Sequence, residues 1–183
     1  ANINKQIKIK ILNKKKANDK KDFNHINPEL DSEAYLLPQI DSLNKRKIIK
    51  KFRPSNVSKD YQYWINSIIN ECKNETFYCL FLDQPTAYKK DISDKLRKRL
   101  WMTPPNQDYT LTLNDLIYTS SLYNDWLEEV ISINKLNFCP ISDKIEPNTT
   151  FLFDDCHFTE NGSKKLSDIL TNYINLNFKS VLN

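Results

Sequence analysis

The chain of 183 residues is 39% hydrophobic and 27% charged, with a formal net charge of +4; this suits one domain with a real core and excludes a disordered or collagenous chain. It holds a single glycine, Gly162, where average usage supplies about a dozen. No phosphate loop (G-x-x-x-x-G-K-[ST]), dinucleotide turn (G-x-G-x-x-G) or nucleophile elbow (G-x-S-x-G) can therefore be written within it.

The 23 Lys, 22 Asn and 19 Ile against 4 Arg and 4 Ala follow AT-rich codons, the mark of an AT-biased genome, which lowers the meaning of any lysine run. The chain begins at Ala1 without a Met and reads as processed, cut or numbered from inside a longer protein. Residues 1–53 carry 14 Lys/Arg against 6 Asp/Glu, and residues 54–183 carry 13 against 17. The first region reads as a basic arm with short helices, partly disordered or an insertion, and the second as the better patterned domain. Lys5, Lys8, Lys10, Lys14, Lys15, Lys16, Lys20 and Lys21 offer charge to phosphates of nucleic acid or anionic lipid. With one aromatic nearby (Phe23), no arginine and no reading motif, a solvated tail is expected and nucleic acid is not. His25, in the polar stretch Asn24–Asn27, reads as a surface residue. Residues 1–16 lack the apolar core of a secretory signal.

Ser32 to Lys51 has apolar positions at mixed helical spacing, broken by Pro38, and predicts one or two short helices. Ser58 can cap a helix to about Lys73 with Tyr61, Trp64, Ile65, Ile68, Ile69 and Cys72 on its apolar face. Phe77–Leu82 reads as a buried strand ended by Asp83-Gln84-Pro85. A short helix is expected over 92–100, then a turn at Thr103-Pro104-Pro105-Asn106. A long helix follows from about Leu113 to Asn134, a second strand over Asn137–Ile141, and a last helix from about Glu160 to Phe178. This alternation predicts an α/β domain with a parallel sheet. No apolar run approaches the ~18 residues of a membrane span.

The four cysteines form no CxxC pair. Three sit in apolar or strand-like surroundings, where small buried thiols are expected; zinc is not expected, since only His25 and His157 could join them. Four N-x-[ST] sequons, at Asn56, Asn74, Asn148 and Asn161, are close to what 22 asparagines supply by chance.

His157 is the residue placed for chemistry. It follows Asp154 by three positions, between an apolar strand and an amphipathic helix, so a turn can set the carboxylate against the imidazole. The same spacing also suits an Asp that accepts backbone N–H bonds beside a structural histidine. Asp155 reads as solvated or helix-capping. Gln84 and Thr86, at a strand's carboxyl end, and Trp101, in an expected loop, are candidate substrate-binding residues. Most of the other aromatics (Trp64, Trp126, Tyr61, Tyr118) sit at helical spacing and read as core.

The block Phe151-Leu152-Phe153-Asp154-Asp155-Cys156-His157-Phe158-Thr159-Glu160-Asn161-Gly162 resembles the C-terminal block of SGNH (GDSL-type) hydrolases. Phe77-Tyr78-Cys79-Leu80-Phe81-Leu82-Asp83-Gln84-Pro85-Thr86 is similar to the family strand that often ends in Gln-Pro, and Leu122-Tyr123-Asn124-Asp125 resembles the place where members commonly have a Tyr-Asn on the helix before the next strand. The resemblance spans about residues 57–178. It implies the C-terminal part of a flavodoxin-like three-layer α/β/α sandwich, acting on carbohydrate or lipid esters without metal or organic cofactor. Asp154 would orient His157, the general base for a serine nucleophile. The family's Gly-Asp-Ser block, second-block Gly and Gly-x-Asn-Asp block all need glycine, and none exists before Gly162. Three explanations follow: a companion segment carries Gly-Asp-Ser; the chain is a degenerate, non-catalytic subunit of an assembly; or the resemblance is accidental. In the first two the missing strands would leave apolar edges exposed.

Overall fold

The computed structural model describes residues 37–45, 48–74 and 77–178; the basic arm and His25 lie outside them. Residues 37–44 are helical. The elements that follow are β1 (Ile49–Lys50), α1 (Lys59–Asn74), β2 (Leu80–Leu82), α2 (Asp94–Arg97), β3 (Thr110–Leu111), α3 (Leu113–Ile133), β4 (Asn137–Cys139) and α4 (Glu160–Asn177). Two parallel pairs form, β1 with β3 and β2 with β4. The architecture is mixed α/β, built on two short parallel sheets.

Local chemistry explains the helix ends. The Ser58 hydroxyl accepts the Tyr61 N–H at 3.2 Å, Ser93 accepts that of Leu96, Thr112 that of Asp115 and Thr159 that of Gly162; each satisfies a first-turn donor with no helical partner. At the far end of α3 the chain turns through Lys135 with φ 55°. The Lys135 N–H donates to Ser132 O and the Leu136 N–H to Ile131 O, a Schellman closure with lysine where glycine usually stands.

The β2–α3–β4 unit is the best defined part. Leu80, Phe81 and Leu82 pair with Asn137, Phe138 and Cys139. Just beyond β2, the buried Asp83 carboxylate accepts the N–H groups of Ile141 and Ser142 at 2.6 and 3.0 Å. Ile69 of α1 and Leu127 and Ile131 of α3 pack on this pair with Phe81, Val130 and Phe138. A second cluster, Ala87, Ile92, Leu96, Leu100 and Leu152, with Tyr88, Met102, Leu113 and Phe158 against it, lies between α2 and the segment leading to His157.

Several expectations are corrected. Pro38 is the second residue of the described helical segment 37–44, and Ile49–Lys50, expected at the end of a helix, pairs as a strand with Thr110–Leu111. Arg53 holds that segment to α3 by donating Nε–H to the buried Asp115 carboxylate at 2.9 Å. The strand expected over Phe77–Leu82 is shorter, with Phe77 and Tyr78 exposed and only Leu80–Leu82 paired and half-buried as β2. On α1, Trp64 and Ile68 are 64% and 48% exposed: only the stripe centred on Ile69 reaches the core. Cys72 and Cys79 are not buried thiols but a disulfide joining the end of α1 to the start of β2, Cα–Cα 5.9 Å. Cys139 is a buried free thiol and Cys156 a half-buried one. Among the described residues no helix is long and apolar enough to cross a membrane.

Candidate active site

The turn at 154–157 is shaped by one carboxylate. Asp154 Oδ1 accepts the backbone N–H of Cys156 at 3.1 Å and that of His157 at 2.9 Å. The His157 ring returns to the same carboxylate, Nδ1 lying 2.9 Å from Oδ1 and 2.8 Å from Oδ2. An Asx-type turn and an Asp–His dyad are therefore made by the same group. The Asp154 side chain is 6% exposed and the His157 side chain 75%, so the carboxylate is sheltered while the imidazole faces outward. With Nδ1 held as a donor to Asp154, Nε2 is the nitrogen left to take a proton.

The turn is clamped at its base. Phe153 N–H donates to His157 O at 2.7 Å, Leu152 bridges antiparallel to Phe158, and Thr159 N–H donates to Phe151 O. Gly162 then lets α4 approach: a Cβ there would lie 2.9 Å from the Phe151 carbonyl carbon, inside any tolerable contact. The one glycine therefore stands where α4 meets the segment that carries the dyad.

Asp155, expected to be solvated or to cap the helix, does neither. It is buried and accepts the Tyr88 hydroxyl, while its carbonyl accepts the Ala87 N–H at 2.8 Å; Thr159 is the cap. Burial pushes the Asp155 carboxyl above the ordinary carboxylate range, with the Tyr88 hydrogen bond opposing the shift. Burial and the Asp155 charge push the Tyr88 hydroxyl up in turn.

Beside His157 opens a cleft of about 950 Å³ whose lining includes Leu43, Tyr88, Trp101, Pro104, Leu116 and His157. Trp101 is therefore brought to the dyad. Gln84 and Thr86 line a neighbouring cavity of about 560 Å³ with Ile65, Phe81, Ser120 and Asn124, and Tyr88 and Leu116 belong to both. The two remaining fragments of the resemblance meet here: the Asn124 amide accepts the Gln84 N–H and donates to Gln84 O, each at 3.0 Å. Thr86 Oγ1 lies 3.1 Å from Ser120 Oγ.

Asp154, Cys156 and His157 are the one group among the described residues whose donor atoms cluster as metal ligands do, within 4.8 Å of one another. The donor chemistry favours the hydrogen-bonded dyad. Nδ1 is already held by Asp154, and burial with the neighbouring carboxylates pushes the Cys156 thiol up to about 11, away from the thiolate that a nucleophilic role needs. Sequence reasoning missed Tyr88 and Leu43, which reach the site from 67 and more than 100 residues away in the chain and carry no local motif. Comparison with protein-family models, curated proteins and solved structures finds no match to this chain.

Proposed function

We propose that this chain is the C-terminal part of an SGNH-type serine ester hydrolase, with a flavodoxin-like three-layer sandwich completed by a companion segment that carries the Gly-Asp-Ser nucleophile block. The observation that carries the reading is the sheltered Asp154 carboxylate on Nδ1 of an exposed imidazole that lines a cleft. In this reading His157 Nε2 takes the proton of the serine hydroxyl as its oxygen attacks the ester carbonyl. Asp154 stabilises the imidazolium, and His157 returns the proton to the leaving alcohol. Water then releases the acyl group by the same proton transfers in reverse order. The oxyanion donors, worth about 3–4 kcal/mol each, come from the companion.

The exposed apolar residues fit such a companion. Ile48, Ile49, Phe77 and Tyr78 are each more than half exposed beside sheets of two strands, and parallel sheets are normally covered on both faces. A second reading, a non-catalytic subunit of the same fold, is favoured by one observation: no serine lines the His157 cleft among the described residues.

Intact-mass measurement of native material separates the two readings by detecting or excluding a co-purifying Gly-Asp-Ser segment. With the companion present, His157→Ala abolishes hydrolysis of p-nitrophenyl acetate, and Asp154→Asn lowers kcat by about 10³–10⁴-fold through the wrong imidazole tautomer. Hydrolysis by this chain alone, untouched by His157→Ala, rejects the triad assignment.

A further inference from the structure

We infer that the cleft beside His157 is an acyl-chain site, selecting esters of straight apolar acids over acetyl esters; its meaning for catalysis rests on the hydrolase reading above. Away from His157 its lining is largely apolar, with Leu43, Trp101, Pro104 and Leu116, and the polar side chains of Thr103, Tyr88 and Asp155 there are already engaged. The buried Thr103 hydroxyl bonds Leu43 O at 2.9 Å and Thr110 Oγ1 at 3.0 Å. The Tyr88 hydroxyl and the Asp155 carboxylate are spent on each other. Asn106, Gln107 and Asp108 are exposed and form a polar rim. A sugar needs several free donors and acceptors inside its site, because each unpaired buried hydroxyl is costly; apart from the His157 ring, this cleft offers the polar side chains of Asn106, Gln107 and Asp108 at its rim. An alkyl chain needs only apolar area.

The wall is also held in place before any ligand arrives. Asn44 donates Nδ2–H to Leu100 O at 2.6 Å and accepts the Met102 N–H at 3.0 Å. Together with the Thr103–Leu43 bond this pins the helical segment 37–44 against 100–103, which keeps Leu43 and Trp101 in one lining. A preformed apolar site binds without ordering its own side chains first. The volume, about 950 Å³, is at the upper end of small-molecule sites and far exceeds the needs of an acetyl group.

The test uses the chain alone with methyl ketones, neutral ester analogues with no leaving group, titrated by ligand-observed NMR. From 2-butanone to 2-octanone, Kd falls by about fourfold per methylene, and Trp101→Ala and Leu43→Asn each flatten that dependence. A Kd independent of chain length, or a dependence that survives in both variants, overturns the acyl site. Hydrolysis that requires His157 in the presence of the companion, together with length-independent ketone binding, overturns the acyl site and leaves the hydrolase reading standing. Length-dependent binding with hydrolysis indifferent to His157→Ala supports the apolar site and overturns the hydrolase reading.

Discussion

The Tyr88 hydroxyl donates to the carboxylate of Asp155, the neighbour in sequence of the carboxylate that holds His157. The pair ties the loop after β2 to the turn that carries the dyad, and the Ala87 N–H to Asp155 O bond doubles the tie. A position in the site loop is thereby set by a residue of a different strand end, the arrangement by which α/β sheets gather site residues at the carboxyl ends of strands.

Tyr88→Phe removes the donor and leaves a buried carboxylate less satisfied, at a cost of about 1–3 kcal/mol near neutral pH. The sign with pH follows from the raised Asp155 value. A carboxyl raised in the folded state favours folding most below the ordinary carboxylate range, and that contribution is lost as pH rises through the raised value. The cost of Tyr88→Phe is therefore largest at neutral pH and shrinks as Asp155 becomes protonated. Urea unfolding of both proteins at pH 4 and pH 7 checks it; an equal difference at the two pH values rejects the account.

The parts legible in the sequence are those with a local rule. Ser58 with apolar residues at helical spacing predicts α1, and the three-position step from Asp154 to His157 predicts a carboxylate within reach of a ring. What escaped has no local rule. Ile49–Lys50 and Thr110–Leu111 are two residues each, too short for a period of two to show, and their pairing joins residues about 60 positions apart, near the Arg53–Asp115 ion pair. Asp155 looks like a polar turn residue until Tyr88 arrives from 67 positions away. Trp64 keeps helical spacing with the core positions yet is mostly exposed, because a helix packed on two strands buries a narrower stripe than one packed on a full sheet.

The Cys72–Cys79 bridge spans a sequence separation of seven. Closing so short a loop removes less unfolded-state entropy than a long one, and the chain-entropy relation gives about 2–3 kcal/mol. Cys72→Ala with Cys79→Ala is expected to lower Tm by roughly 5–10 °C, and reductant is expected to do the same to the parent and nothing to the variant. A reductant effect that persists in the double variant assigns the loss elsewhere.

Lys135 occupies a left-handed backbone position, φ 55°, that closes α3 before β4. A non-glycine residue in this region costs about 1–2 kcal/mol, partly offset by its lower entropy in the unfolded chain. Lys135→Gly is therefore expected to stabilise the protein by about 0.5–1 kcal/mol, read as a higher urea midpoint with an unchanged slope. The exposed lysine side chain makes no bond in the Schellman closure, which uses backbone groups alone, so nothing in that closure is lost. A destabilised Lys135→Gly protein rejects this account of how the helix ends.

Gly162 presents the opposite case, because its backbone is helical and not left-handed, and alanine would ordinarily improve a helix by about 1 kcal/mol. Here the missing Cβ is required by packing: the first turn of α4 lies against the Phe151 backbone, with the Phe151 carbonyl carbon 2.9 Å from where a Cβ would sit. Backbone cannot swing aside as a side-chain tip can, so α4 or the 151–153 segment must move. Gly162→Ala is expected to destabilise by about 3 kcal/mol, the upper part of the range for overpacking. The displacement also reaches the dyad, since Phe151 O accepts the Thr159 N–H and Phe153 N–H donates to His157 O. An NMR pH titration of the two ring nitrogens separates the two consequences. A shifted His157 tautomer balance in a still-folded Gly162→Ala protein means that α4 positions the dyad. Wild-type ring signals in a destabilised protein would show that the glycine serves packing alone.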